Sequence, residues 1–332
     1  MTTSSGSPAV ADSSVPDSSV PDRPAVVDRS GTVGRTVKRV GVGWFLVSPP
    51  VLVVIVFVGI PIVTGILYTL GYTGGSNAMA TLLSTSVLQN TGTPTFNVFS
   101  KVFADPLFRS DLWVTVLVTV VTVVVVTLLA WAIALYARLS GSRWGRFITG
   151  IAIIPLFIPV VIGAYSIRNF YLSTGFWGSV GSLLGLHLSP LSYHTSGVIV
   201  AQIWTSLPFA VLLISSGVAA VPDALIHAAR DAGASMSRAV WSVMVPLATV
   251  PTVIVATFTG VGVLGSFTVP FMVGPASPTM LGVQMVTTYN TYQQPQDAQV
   301  MAVVLFALAI LIGWAYVWAN ARQSKTSSVM SE

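Results

Sequence analysis

Residues 112–137 read LWVTVLVTVVTVVVVTLLAWAIALYA, twenty-six consecutive positions without Asp, Glu, Lys or Arg. A helix of about 20 such residues crosses a hydrocarbon core of roughly 30 Å. The stretch therefore predicts a membrane-spanning helix, and five more segments share its character. Charge is absent for 21 residues over 147–167 and for 24 over 298–321, and apolar runs occupy about 40–70, 197–221 and 247–270.

Composition supports the same reading. Only 8% of the 332 residues are charged and 53% are hydrophobic, against about 25% charged in an ordinary soluble domain. Six buried core helices in a chain of this size would leave nothing to solvate them. The expected fold is all-α and integral to the membrane, with six transmembrane helices.

The cationic residues set the expected orientation. Twelve of the 15 Lys and Arg fall before the first span, between spans two and three, between four and five, or after six; Lys101, Arg109 and Arg168 lie on the other side. The positive-inside rule then puts both termini and the 222–246 loop in the cytoplasm. Topology accounts for the net charge of +5, so no nucleic-acid partner is called for. Residues 1–39 form a Ser- and Pro-rich tail in which SSVPD occurs twice in tandem, a composition that cannot bury a core. No apolar run lies near residue 1, so no cleavable signal peptide is expected. Residues 322–332 make a second short cytoplasmic tail.

With no cysteine in the chain, disulfides and thiolate chemistry are excluded. His187 and His194 have no nearby third ligand, so no metal site is expected. No paired carboxylates, His cluster or Ser/Lys arrangement near the bilayer points to catalysis. A proton- or sodium-coupled carrier is disfavoured, because such carriers usually have more spans and buried ionisable groups; no acidic residue is expected inside any span here.

Proline and glycine interrupt the spans at Pro61, Pro155, Pro159, Pro208, Pro251, Gly260, Gly262 and Gly265. Spans three to five are therefore expected to bend. The Pro- and Gly-containing stretch 271–297 has no Lys or Arg and is a candidate to re-enter the membrane in part. Candidate path-lining residues are Gln202, Trp204 and Thr205 in span four, Ser266 and Thr268 near the end of span five, and Gln284 and Asn290 beyond it. Arg168, beside Tyr165 and Tyr171, is either an interfacial anchor or a gate contact.

Between spans four and five the chain reads VPDALIHAARDAGAS from Val221. Asp223 is placed to cap a short helix over 224–232, and Gly233 to end it in a left-handed conformation. A second helix should begin near Met236. Alanines at 224, 228, 229, 232 and 234 make the first helix slim, with Leu225 and Ile226 as its only large apolar residues; Arg230 and Asp231 should lie at its rim. Such a helix suits either a groove on another protein or a resting place at the membrane interface.

The segment resembles the EAA signature of the transmembrane subunits of binding-protein-dependent ABC importers. His227, Ala228 and Ala229 stand at the EAA positions, Gly233 at the glycine, and Pro246 thirteen residues later, preceded by Val243 and Val245. HAARDAGAS is especially similar to the EAARDLGAS form of the spermidine/putrescine-type branch. Residues 167–185 and 262–282 also look like that branch, and the likeness covers about 40–321.

The resemblance implies a six-helix subunit forming half of a translocation path, paired with a second permease subunit. Its coupling helix would dock on a cytoplasmic ABC ATPase dimer, and an extracytoplasmic solute-binding protein would deliver a small solute. Polyamines fit the branch; sugars, phosphonates, ferric iron, thiamine and sulfate are the alternatives. No phosphate-binding G-x-x-x-x-G-K-[ST] motif occurs in the chain, so ATP and Mg are expected on the partner and no cofactor on this chain. His227 departs from the family pattern, placing an imidazole where a fixed negative charge is usual.

Overall fold

The computed structural model describes residues 47–82, 84 and 94–329. The tail expected over 1–39, with its repeat, lies outside the described residues, as do positions 40–46 of the first span and 330–332. The chain divides into two compact units, residues 1–60 and Pro61–Glu332. Helix α1 (Val47–Thr69) begins in the first of these, where Leu52, Ile55 and Phe57 are exposed. A π-helical turn, Ile55–Gly59, lies within it.

All regular structure among the described residues is helical. After the short α2 (Ala78–Leu82) and α3 (Asn97–Ala104) comes α4 (Pro106–Ser140), the longest early helix. The Asp105 carboxylate accepts from the Leu107 N–H, Pro106 occupies the first turn, and Gly141 closes the helix at φ 56°. These are strong start and stop signals. Between them the helix contains no Gly or Pro and remains unbroken.

The next span breaks. Helix α5 (Arg143–Ile153), started by Ser142, passes through a 3-10 turn at Ile154–Phe157 and meets α6 (Val160–Phe170) at 110°. Pro155 lacks the N–H that a continuing helix needs. Ile158, preceding Pro159, is extended at φ −98°, ψ 123°, the region that a following proline enforces. The third span is thus a bent pair rather than one helix over 147–167.

Helix α7 (Phe176–Leu183) precedes α8 (Thr195–Ala219), which keeps Pro208 inside a continuous run. Then come α9 (Asp223–Asp231) and α10 (Met236–Leu247), the latter with a π-helical segment at Val240–Met244. Helix α10 turns by 67° into α11 (Thr249–Leu264). The fifth span therefore ends at Leu264, short of the expected 270. A break at 265–267 starts α12 (Thr268–Val273), and α13 (Leu281–Asn290) and α14 (Pro295–Val329) follow. The stretch 271–297 is mostly helical, not an irregular loop.

Among the described residues four helices are long and apolar enough to cross a membrane, and up to six spans result if each bent pair counts as one. The main core joins Val126, Ala130 and Ala134 of α4 to Ala210, Ile214 and Val218 of α8 and Met244 of α10. Small side chains at such contacts let helix axes approach closely. At Gly217 the approach is close, since a Cβ there would lie 2.3 Å from the Pro251 ring. A Cβ on Gly262 would meet nothing within 4 Å. Gly217→Val should cost about 1–3 kcal/mol by overpacking and lower the melting temperature of the purified protein in detergent. Gly262→Ala should leave that temperature unchanged or raised, and equal melting of the two variants would refute the packing assigned here.

Candidate functional site

Helix α9 is the polar element between the fourth and fifth spans, and the geometry of its ends follows from a few residues. The Ala234 N–H reaches the Ala229 carbonyl at 3.0 Å and the Gly233 N–H reaches Arg230 at 2.9 Å. Gly233, at φ 87°, supplies the left-handed residue this closure requires. The Ser235 hydroxyl then accepts from the Arg238 N–H and starts α10. Both helix boundaries expected from the sequence hold to within one residue.

The expected N-terminal cap does not form. Asp223 makes no capping bond, and its carboxylate instead accepts from the Arg138 guanidinium at 2.6 Å. Pro222 takes the N-cap position and Asp223 the first helical one, and the Arg138 contact is charged on both sides where a bond to a backbone amide is charged on one. The same guanidinium donates to the Val221 carbonyl at 3.1 Å. Eighty-five residues separate Arg138 from Asp223, so no local pattern announces the pair.

One side of α9 is anchored and the other is open. Ile226 is buried in the α4–α8–α10 core, and Ala229 packs partly against it. His227, Ala228, Arg230, Asp231 and Gly233 are exposed, and Leu225 is 46% exposed. The result is a slim helix held by one aliphatic plug and one ion pair, presenting alanines flanked by polar side chains. Pro246 is exposed in the last turn of α10, two residues before the bend into α11.

The path candidates assemble around a second locus. Ala164 of α6, Ala201 of α8 and Val269 and Val273 of α12 share one apolar cluster, which gathers the helices bearing Arg168, Trp204 and Thr268. Trp204 lies against Gly163 so closely that a Cβ there would be 2.3 Å from its ring. The Arg168 guanidinium sits 4.9 Å from the Tyr165 ring centroid, a cation–π contact, and its carbonyl accepts from the Ser192 hydroxyl. Gln202 is buried with its amide nitrogen unpartnered, the Thr205 hydroxyl donates to the Gln202 carbonyl, and Ser266 falls in the break between α11 and α12. Gln284 and Asn290 stand apart, each lining a pocket beside the start of α14.

One expectation is corrected here. No acidic residue was expected inside any span, yet Asp111 lies inside α4 and is fully buried. Its carboxylate accepts from the Thr279 N–H at 2.9 Å, and Thr115, one turn on, accepts from the Leu281 N–H at 2.7 Å. An acidic residue therefore does occur within a spanning helix, with one carboxylate oxygen held by an amide 168 positions away.

Residues 127–325 match the family model described as the binding-protein-dependent transport system inner membrane component. The chain is 26% identical over 231 residues to the sulfoquinovosyl glycerol transport system permease protein of Agrobacterium fabrum, covering 67% of this chain and 74% of that protein. It is 30% identical over 161 residues to the trehalose transport system permease protein of Mycobacterium tuberculosis, covering 48% of this chain and 51% of that one. This chain thus spans only about half of the trehalose permease. Among solved structures, a bacterial ABC transporter involved in the import of the acidic polysaccharide alginate superposes with a TM-score of 0.65 at 15% identity, over 89% of this chain and 99% of that one. These relatives are permease components, and the chain is accordingly a non-catalytic, multi-pass membrane subunit. The matched region takes in α8 to α11 and the whole α9 loop, and the chain belongs to the family of binding-protein-dependent transport system inner membrane components.

Proposed function

We propose that this chain forms half of the membrane path of an ATP-driven importer, with α9 as the coupling helix that docks on a cytoplasmic ABC ATPase dimer. The observation that carries this reading is the two-sided construction of α9: Ile226 anchored in the membrane core, the alanine-lined side open, and Gly233 at φ 87° in the signature register. Of the two large apolar side chains of α9, Ile226 is spent on the subunit's own core and only Leu225 is left outward, too little apolar surface for a helix that merely rests at the membrane interface. Residues 40–321 form the permease domain in this reading, with the 222–246 loop and both tails in the cytoplasm. A second permease subunit completes the path, and a solute-binding protein delivers cargo from the other side. ATP and Mg reside on the partner ATPase.

The solute we propose is a carbohydrate. The relatives named for sulfoquinovosyl glycerol and for trehalose support this, whereas the polyamine reading rests on the likeness of HAARDAGAS and of residues 167–185 and 262–282 to one branch. The Trp204 and Tyr165 rings near Arg168 offer stacking faces to a sugar ring and a cation to an acidic one.

Co-expression with neighbouring subunits should yield a complex in which the ATPase co-purifies with this chain. Gly233→Trp places a side chain where φ 87° disfavours one and on the docking side; ATPase retention and solute uptake should both fall to background. Intact uptake in that variant would refute the coupling role of α9. His227→Glu, which restores the family's residue at an exposed position, should retain uptake. Calorimetry on the cognate binding protein should detect trehalose or a related glycoside and no heat with spermidine. The reverse result would return the solute to the polyamine class.

A further inference from the structure

Helix α4 is fastened at both ends to segments far from it in sequence. Near one end Arg138 donates to the Val221 carbonyl and to Asp223, the residue that opens α9. Twenty-seven residues earlier, Asp111 and Thr115 accept from the Thr279 and Leu281 N–H groups, on the segment that leads into α13. Thr115 also donates to the Asp111 carbonyl at 2.7 Å, so its hydroxyl both gives and receives. At 1.5 Å per residue the two fastenings stand about 40 Å apart, the full depth of a bilayer with its headgroups.

Three features suit α4 to carry movement between those points. It has no Gly or Pro in its interior, whereas the α5–α6 and α10–α11 spans bend by 110° and 67°. Helix α8, joined directly to α9, contains Pro208, which cannot donate to the Trp204 carbonyl and so weakens the rod at its middle. The end contacts of α4 are also directional. Apolar side chains can slide past one another at small cost, but a charge-assisted hydrogen bond fixes register. A buried carboxylate is costly unless its bonds are made, and Asp111 has one oxygen on the Thr279 amide while the other is buried without a partner.

We propose that α4 is a rigid tie between the coupling helix and the 277–281 segment on the opposite face of the membrane, with Arg138, Asp111 and Thr115 as its positioning residues. Displacement of α9 by the ATPase shifts Asp223, the ion pair carries the shift into α4, and the two amide contacts deliver it to Thr279 and Leu281. The inference rests on the importer reading above and adds to it the route by which the two faces communicate.

The chain has no cysteine, so a single Ser277→Cys, at an exposed position beside the buried Thr279, gives one labelling site on this subunit. In the complete transporter in nanodiscs, its reaction rate with a membrane-impermeant maleimide is compared without nucleotide and after vanadate trapping of ATP. With α4 intact, trapping should change the rate by about fivefold or more, the lower end of ordinary allosteric coupling. Arg138→Gln, Asp111→Leu and Thr115→Val should each bring the two rates together while ATPase still co-purifies and hydrolyses ATP. Asp223→Asn alters a side chain that is 66% exposed, cannot be dismissed as a folding defect, and should act like Arg138→Gln. The double variant should be no worse than either single one, since both remove the same contact. A nucleotide-dependent rate that persists in Asp223→Asn and Asp111→Leu overturns the tie, as does a parent complex that hydrolyses ATP without any change at residue 277. A parent complex lacking ATPase overturns the importer reading itself.

Discussion

A hydrocarbon interior offers no partner to a backbone N–H or C=O, so every peptide group inside it must be satisfied by the protein. Most of this structure follows from that constraint. Continuous helices such as α4 meet it within themselves. The breaks at 154–159 and around Ala248 are admissible where neighbouring chain packs against the freed groups, and each is made by proline, which removes a donor and so leaves fewer groups to satisfy. The same constraint explains why the Thr279 and Leu281 amides of the 279–281 segment are taken up by Asp111 and Thr115, one by each side chain. A short stretch of non-helical backbone there finds its acceptors on the side chains of α4, and a buried carboxylate finds a donor.

The contacts at the two loci differ in kind because their surroundings differ. Around Arg168, Trp204 and Thr268 the helices are gathered by small residues and aromatic rings, with polar groups few and partly unpaired. Such a region can rearrange without breaking strong bonds, as the path proposed above requires. Around α9 the contacts are an ion pair, an aliphatic plug and a glycine-dependent helix end. These hold one geometry. A part that receives force from another protein has to resist deformation, and a part that lets solute pass has to permit it.

Charge-free runs located the spans because the environment itself selects for them, and no tertiary information was needed. The closure of α9 at Gly233 and the start of α10 at Ser235 were equally legible, since both depend on residues within one turn. The misreadings share a different cause. No acid was expected inside a span because a buried carboxylate is costly, and the donor that accommodates Asp111 is the Thr279 amide, 168 positions away. Asp223 was expected to cap α9, yet Arg138 arrives from 85 residues away and takes its carboxylate. Pro155 and Pro159 announced a bend, while its size, 110°, is set by how α6 packs beside α8 and α12. Local chemistry fixes where a chain can turn; long-range packing fixes how far.

His227 shows how a departure from a family's pattern can be absorbed. Its neighbours Ala228, Arg230 and Asp231 are exposed with it, on the side of α9 away from the Ile226 plug. Neither an imidazole nor a carboxylate at this position is required by the fold, so the choice between them is made by whatever surface α9 meets. The alanines and Gly233 are in a different position. They fix the width of the helix and the direction in which the chain leaves it, and both would change with the addition of a single side chain. Shape in this segment is therefore constrained by the subunit's own backbone, whereas charge is free to follow a partner, and the sequence has kept the first while altering the second.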